Sequence, residues 1–97
     1  MSETKEMFCL TALENLLKGY FNESEYCLNG EKESAVCLER KDSFWEVFEK
    51  EKNSFNDKCV FGNVVEACLN IIDRMFLSQA DEAKSRFLDT IISSKSA

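Results

Sequence analysis

Apolar residues recur at helical intervals through most of the chain. Met7, Leu10, Leu13 and Leu17 share one face of a segment from about Glu3 to Lys18, and Phe8, Ala12 and Leu16 widen that stripe. Gly19 follows directly, where a helix C-cap often falls, and Ser2 or Thr4 suits the start. Further on, Ser43-Phe44-Trp45-Glu46 has the S-x-x-E form of a capping box. Phe44, Val47, Phe48 and Phe55 then fall on one face, which predicts a helix over about Ser43 to Asn53. The longest stripe runs Phe61, Val64, Val65, Cys68, Leu69, Ile72, Met75 and Phe76. Its helix starts at Asn56-Asp57 or, since Gly62 weakens the first turn, at an Asn63 cap. Ser78 caps the last predicted helix, about Gln79 to Ile92, with Ala80, Ala83, Phe87, Leu88 and Ile91 facing inward.

Residues 26–40 are ambiguous. Asn29-Gly30 is a turn signal. In one reading Tyr26-Cys27-Leu28 and Ser34 to Leu38 pair as a hairpin. In the other, a short helix runs from about Glu31 to Arg40. Poor alternation around Val36, with acids first and bases last as the helix dipole prefers, favours the helix. With no proline and only three glycines, helices meet few breakers. The expected fold is therefore all-α, a single compact domain over residues 1–97 built as a bundle of four or five helices. A chain this short buries roughly two thirds of its unfolded surface, enough for one core.

Charge and missing residue types narrow the chemistry. The net charge is −6, and it is uneven: residues 1–51 carry 12 acids and 6 bases, whereas residues 52–97 carry 6 of each. No cluster of bases exists to neutralise phosphates, so nucleic acid is not the expected ligand, and a basic protein is. No run approaches the roughly 20 apolar residues of a membrane span, and MSETKEMFCL lacks a secretory signal pattern, so a cytoplasmic location is expected. Histidine is absent, and the five cysteines form no CxxC pair. They read as reduced thiols, several of them small buried hydrophobes, rather than as metal ligands or disulfides. The commonest general base, histidine, an activated thiol and a Gly-rich phosphate loop are all missing, and the carboxylates Glu31 and Glu33 read as solvated surface acids rather than a cation site or catalytic pair. The 12-residue window Asn22–Glu33 fails as an EF-hand because its sixth position is Cys27 rather than Gly. An enzyme, a cofactor and a metal are therefore not expected.

One stretch points further. Residues 19–34, GYFNESEYCLNGEKES, set Tyr20, Phe21 and Tyr26 among Glu23, Glu25, Glu31 and Glu33, with Lys32 as the lone base. A leucine-rich first helix, then Tyr20-Phe21-Asn22, an acid before Tyr26, Gly30 and an acidic-led segment from Glu31 resembles small bacterial immunity proteins of contact-dependent growth inhibition systems. The resemblance covers about residues 8–55. It departs in one respect: that family tends to place Asp directly before the second aromatic, where this chain has Glu25 in a longer spacer.

The resemblance implies a cytoplasmic monomer that binds a nuclease toxin domain, most commonly an RNase or DNase, 1:1. Toxin clefts built for phosphate are basic, and an acidic surface beside aromatic anchors complements them. The candidate partner-binding residues are Glu23, Glu25, Tyr26, Glu31, Glu33, Glu39, Asp42 and Trp45. The competing structural use of the rings is to plug one end of the bundle, with Asn22 holding the turn. The competing function is a small acidic adaptor or secretion chaperone, a class that dimerises and has mixed α/β folds.

Overall fold

The computed structural model describes the backbone of residues 2–96 and the side chains of residues 6–93. Helix α1 (Ser2–Lys18) leads through a single 3₁₀ turn (Glu23–Glu25) into strand β1 (Tyr26–Cys27). Strands β2 (Ala35–Arg40), β3 (Trp45–Glu51) and β4 (Ser54–Phe61) follow, then α2 (Val64–Phe76), a second 3₁₀ turn (Leu77–Gln79) and α3 (Ala80–Ser96). The sheet order is β1-β2-β3-β4, with β1 parallel to β2 and the other pairs antiparallel. The expected all-α bundle is overturned. The protein is a mixed α/β fold in which the three helices pack with one face of a four-stranded sheet.

The helices at the two ends form where the spacing places them. In α1 the fully buried face is Cys9, Leu13 and Leu17, with Ala12 beside them. Met7, which the spacing puts on the inner stripe, is 67% exposed. Asn63 caps α2: its Oδ1 accepts the backbone N–H of Val65 at 2.7 Å and of Glu66 at 3.3 Å. The alternative start at Asn56-Asp57 lies inside β4. In α3 the inward residues Ala80, Ala83, Phe87 and Ile91 are buried and Leu88 is half-buried. Ser78 belongs to the 3₁₀ turn before that helix.

Residues 31–55 are where the helical expectation fails. The predicted helix Glu31–Arg40 is loop followed by β2, and the predicted helix Ser43–Asn53 is mostly β3. The two stretches of the hairpin alternative do pair, with Tyr26 opposite Val36 and Cys27 opposite Cys37, but in parallel and not as a hairpin. The cause is burial on both sides of the central strands. On β2, Leu38 joins the main core under the helices, while Ala35 and Cys37 are buried on the other face. On β3, Trp45 and Val47 face the main core, and Phe48 is 1% exposed on the outer side. A strand buried on both faces loses its polar alternation. Phe44, Val47 and Phe48 then imitate an i, i+3, i+4 helical stripe.

The outer face is closed by the chain itself. Residues 28–34 fold back across it: Gly30 N–H reaches the Leu38 carbonyl at 3.1 Å, and Ser34 N–H reaches that of Lys50 at 2.8 Å. Cys37 Sγ donates to the Lys32 carbonyl at 3.5 Å. Further across, the Phe55 ring meets Phe48 edge-on at 5.3 Å, and the Lys50 and Lys58 ammonium groups lie 4.9 and 5.2 Å from the Phe55 centroid. Salt bridges Lys41–Glu39 (3.0 Å) and Lys58–Glu46 (3.5 Å) complete a mixed-charge surface there.

A bulge lies between β3 and β4. Val47 pairs with Cys59 and Glu49 with Asn56, so Phe48 faces both Asp57 and Lys58. Asp57 takes φ 52°, a left-handed conformation that Asp tolerates better than most residues. Arg74 of α2 clamps this bulge. Its guanidinium donates to the Asp57 carbonyl and lies 3.4 Å from the Glu49 carboxylate, and its Nε donates to Asn70 Oδ1 at 2.7 Å.

Two substitutions test this architecture. Arg74→Ala removes a charged donor from the bulge carbonyl and should destabilise by about 1–3 kcal/mol, read from the urea midpoint. Leu77 has φ 53° and ψ −114°, a combination glycine favours, and its side chain is 74% exposed. Leu77→Gly should therefore leave stability unchanged or raise it by up to about 1 kcal/mol, with little burial to lose.

Candidate functional site

The stretch from Gly19 to Ser34 begins as a structural clamp. Tyr20 and Phe21 meet the Phe76 ring edge-on at 5.2 and 5.1 Å, which ties the end of α1 to the end of α2. The Tyr20 hydroxyl accepts a hydrogen bond from Arg86 of α3. These rings hold the helix ends together, the use set against anchoring above. Asn22 starts the 3₁₀ turn, and its backbone N–H donates to Glu25 Oε2 at 2.7 Å. Glu25 is thereby committed to the turn.

The turn feeds β1, whose two residues point to opposite faces of the sheet. Tyr26 goes inward against the main core and Cys27 outward beside Cys37. Tyr26 is only 5% exposed, and its hydroxyl has no hydrogen-bond partner. Burial pushes its pKa above the ordinary tyrosine value, and the Glu14 and Glu23 carboxylates nearby push it the same way. Trp45 is 6% exposed, packed in the core with the Arg40 guanidinium 5.5 Å from its ring. The expectation that Tyr26 and Trp45 act as exposed ring anchors therefore gives way to two core aromatics.

The acids divide. Glu23, Glu25, Glu31, Glu33 and Asp42 are exposed, while Glu39 is half-buried. Glu23 and residues 31–33 are drawn together, because Lys32 Nζ donates to the Glu23 carbonyl at 2.8 Å across the β1 edge. Glu39 and Asp42 belong to the far end of β2, roughly 15–20 Å from Glu33 along the strand. Glu39 is taken up there by Lys41, whose own pKa is raised chiefly by that hydrogen bond. Lys32 thus ties the 31–33 loop to Glu23, while Glu31 also lies near enough to Lys41 to act on it electrostatically, so the acids of the loop are not set apart from Glu39.

Between α1 and β1 lies an open groove of about 600 Å³. One wall is a stripe of α1, Met7, Leu10, Thr11 and Glu14, at i, i+3, i+4 and i+7. The other is formed by Glu23, Tyr26 and the start of the loop at Leu28, with Lys32 at the edge. Sequence spacing assigns Met7 and Leu10 to the core and gives Glu14 no role. The only signal for the groove in the sequence is that Glu14 continues their helical face.

The cysteines carry no evident chemistry. Cys27, Cys37, Cys59 and Cys68 are free thiols. Burial pushes Cys68 up to about 12, helped by the neighbouring Cys9, and raises Cys37 as well. Among the described residues no cluster of His, Cys, Asp or Glu is placed to hold a metal ion, and no helix is long and apolar enough to cross a membrane. Comparison with family models, curated proteins and solved structures finds no match for this chain.

The orphaned hydroxyl gives a direct test. A buried donor without a partner costs about 1–3 kcal/mol, so deleting it is not a loss. Tyr26→Phe should match the parent in a urea melt or exceed it by up to about 1 kcal/mol. A loss greater than about 1 kcal/mol would mean that the hydroxyl is bonded in solution.

Proposed function

We propose that this chain is an immunity protein of the contact-dependent growth inhibition type, acting in the cytoplasm by binding a basic nuclease toxin domain rather than by turnover. The observation that supports the reading is that Glu23, Glu25, Glu31 and Glu33 are all exposed within a stretch whose lone base is Lys32. On the outer sheet face, by contrast, acids and bases pair off. This acidic stretch has charge left over for a partner. A cleft built for phosphate supplies the complementary field, and such a field steers fast association. The resemblance of residues 8–55 points the same way, although Phe21 and the still exposed Tyr20 pack edge-on against Phe76 at the helix ends.

The secretion-chaperone reading gains from one observation. The fold is mixed α/β, and β4 is an exposed eight-residue edge with no strand on its outer side among the described residues. A second copy pairing there would give the dimer that such chaperones form. Solution mass separates the two readings: a 1:1 heterodimer with a toxin domain supports immunity, and a stable homodimer supports the chaperone.

Charge reversal tests the immunity reading. Glu31→Lys together with Glu33→Lys should keep the parent circular dichroism spectrum. It should weaken binding to the nuclease domain of the adjacent toxin gene by roughly 30-fold at low salt, taking about 1 kcal/mol per reversed charge. Protection of cells expressing that domain should fall with it. Full protection by the folded double variant would remove the acidic stretch from the mechanism.

A further inference from the structure

The cysteines show no chemistry one by one, but two of them are partners in the sheet. In the parallel pairing of β1 with β2, Cys27 lies directly opposite Cys37, and both are free thiols. Their side chains share the outer face, where Cys27 packs against the small cluster of Ala35, Cys37 and Phe48. They are near enough for a Cys27 thiolate to raise the pKa of Cys37. With residues 28–36 between them they form no CxxC pattern, so strand register alone brings them together.

We propose that Cys27 and Cys37 are a reversible thiol–disulfide site, closed to an intramolecular bridge by a small-molecule disulfide of the glutathione class. The inference is independent of the immunity reading. Neighbouring strands lie about 4.7–4.9 Å apart, and a disulfide joins Cα atoms roughly 4.4–6.8 Å apart, so the backbone separation suits the bond. The Cβ atoms of a disulfide come within about 3.5–4.5 Å, slightly closer than the strand spacing. That small approach falls on β1, a two-residue strand at the sheet edge, which has little pairing of its own to resist it. A bridge that draws strands together is among the more easily reduced, which suits a switch rather than a permanent staple.

Unequal access orders the steps. Cys27 is half-buried and borders the open groove between α1 and β1, whereas Cys37 is 0% exposed. The Cys27 thiolate attacks one sulfur of glutathione disulfide, which forms a mixed disulfide and expels the other half as a thiolate that takes up the proton. Cys37 then loses its proton, attacks the Cys27 sulfur and expels the second glutathione. Two protein S–H bonds become one S–S bond, and glutathione disulfide is reduced to two glutathione molecules. The second step needs no entry from solvent, because the attacked sulfur already lies beside Cys37. Closure also removes the Cys37 S–H from the Lys32 carbonyl at 3.5 Å, a bond that helps hold the segment of Glu31 and Glu33 over the outer face. The other cysteines offer no equal. Cys59 pairs with Val47 on the inner face, and Cys9 and Cys68, though neighbours, are both fully buried.

The test incubates the folded full chain with glutathione disulfide, without denaturant, then alkylates it and maps tryptic peptides by mass. Trypsin cuts after Lys32 and so separates the two cysteines into peptides 19–32 and 33–40. The expected result is that these two peptides are joined, that dithiothreitol parts them, and that little glutathione stays on Cys27. Cys37→Ala stops the second step and should raise the glutathione adduct at Cys27 at least about tenfold over the parent. Cys27→Ala, at the less buried position, should leave Cys37 unmodified, with an unchanged circular dichroism spectrum. Absence of the joined peptides, a bridge to Cys9, Cys59 or Cys68 instead, a bridge that forms only in denaturant, or modification of Cys37 in folded Cys27→Ala would overturn the proposal.

Discussion

The fold depends on the burial of one helix. Along α2, Ala67, Cys68, Ile71 and Ile72 are fully buried, with Val64 and Phe76 closing the two ends of the stripe. This helix touches α1 and α3 on one side and β2, β3 and β4 on the other. Two of its inward residues, Ala67 and Cys68, are small, which allows α1 and the sheet to approach closely. The Cys68 thiol, held protonated by burial, behaves there as a compact hydrophobe. Each isoleucine buried in this way contributes on the order of 1.5–3 kcal/mol. Remove the stripe, and the inner face of the sheet at Leu38, Trp45 and Val47 would have no cover. Arg74 adds direction to this adhesion. It leaves α2 on the sheet side and fixes the one place where β4 departs from regular pairing.

The helices at the ends were legible because each has one buried face and one wet face. The 3.6-residue period survives in such a segment, and the Asn63 cap is a local signal that needs no tertiary context. The strands were not legible because their second face is not wet. Cys37 is sealed by the backbone of residues 28–34, and Phe48 by Phe55 and Lys58. Sealing of this kind comes from parts of the chain distant from the strand. No window of ten residues around Val36 or Trp45 contains the information. Glu46, Glu49 and Lys50, which look like the outer face of a helix, are spread instead over both faces of β3.

The candidate site divides along the same line. That the charge concentrates in the first half, and that Glu23, Glu31 and Glu33 are exposed, follows from composition and from the turn residues around them. That Tyr26 and Trp45 are buried does not follow, since an aromatic among acids reads equally well as an anchor or as a plug. The parallel pairing of Tyr26 with Val36 decides it, by turning the ring under α1. Glu39 looked equivalent to Glu33 in sequence. It differs because the β2–β3 turn brings Lys41 within 3.0 Å of it.

Strand β1 is too short to owe its place to its own hydrogen bonds. Two residues in parallel register form a weak ladder, and parallel pairing is slightly the poorer kind per residue. What holds it is the burial of Tyr26 on one face and the cover of residues 28–34 on the other, with the Phe21–Phe76 contact fixing where the chain leaves α1. The same contacts place an acidic turn, an unpartnered phenol and an apolar helix stripe around one groove. A chain that only needed to close its sheet could have ended it at β2 with a covering loop. The extra two-residue strand instead sets Tyr26 at a fixed depth below α1, beside the turn that carries Glu23.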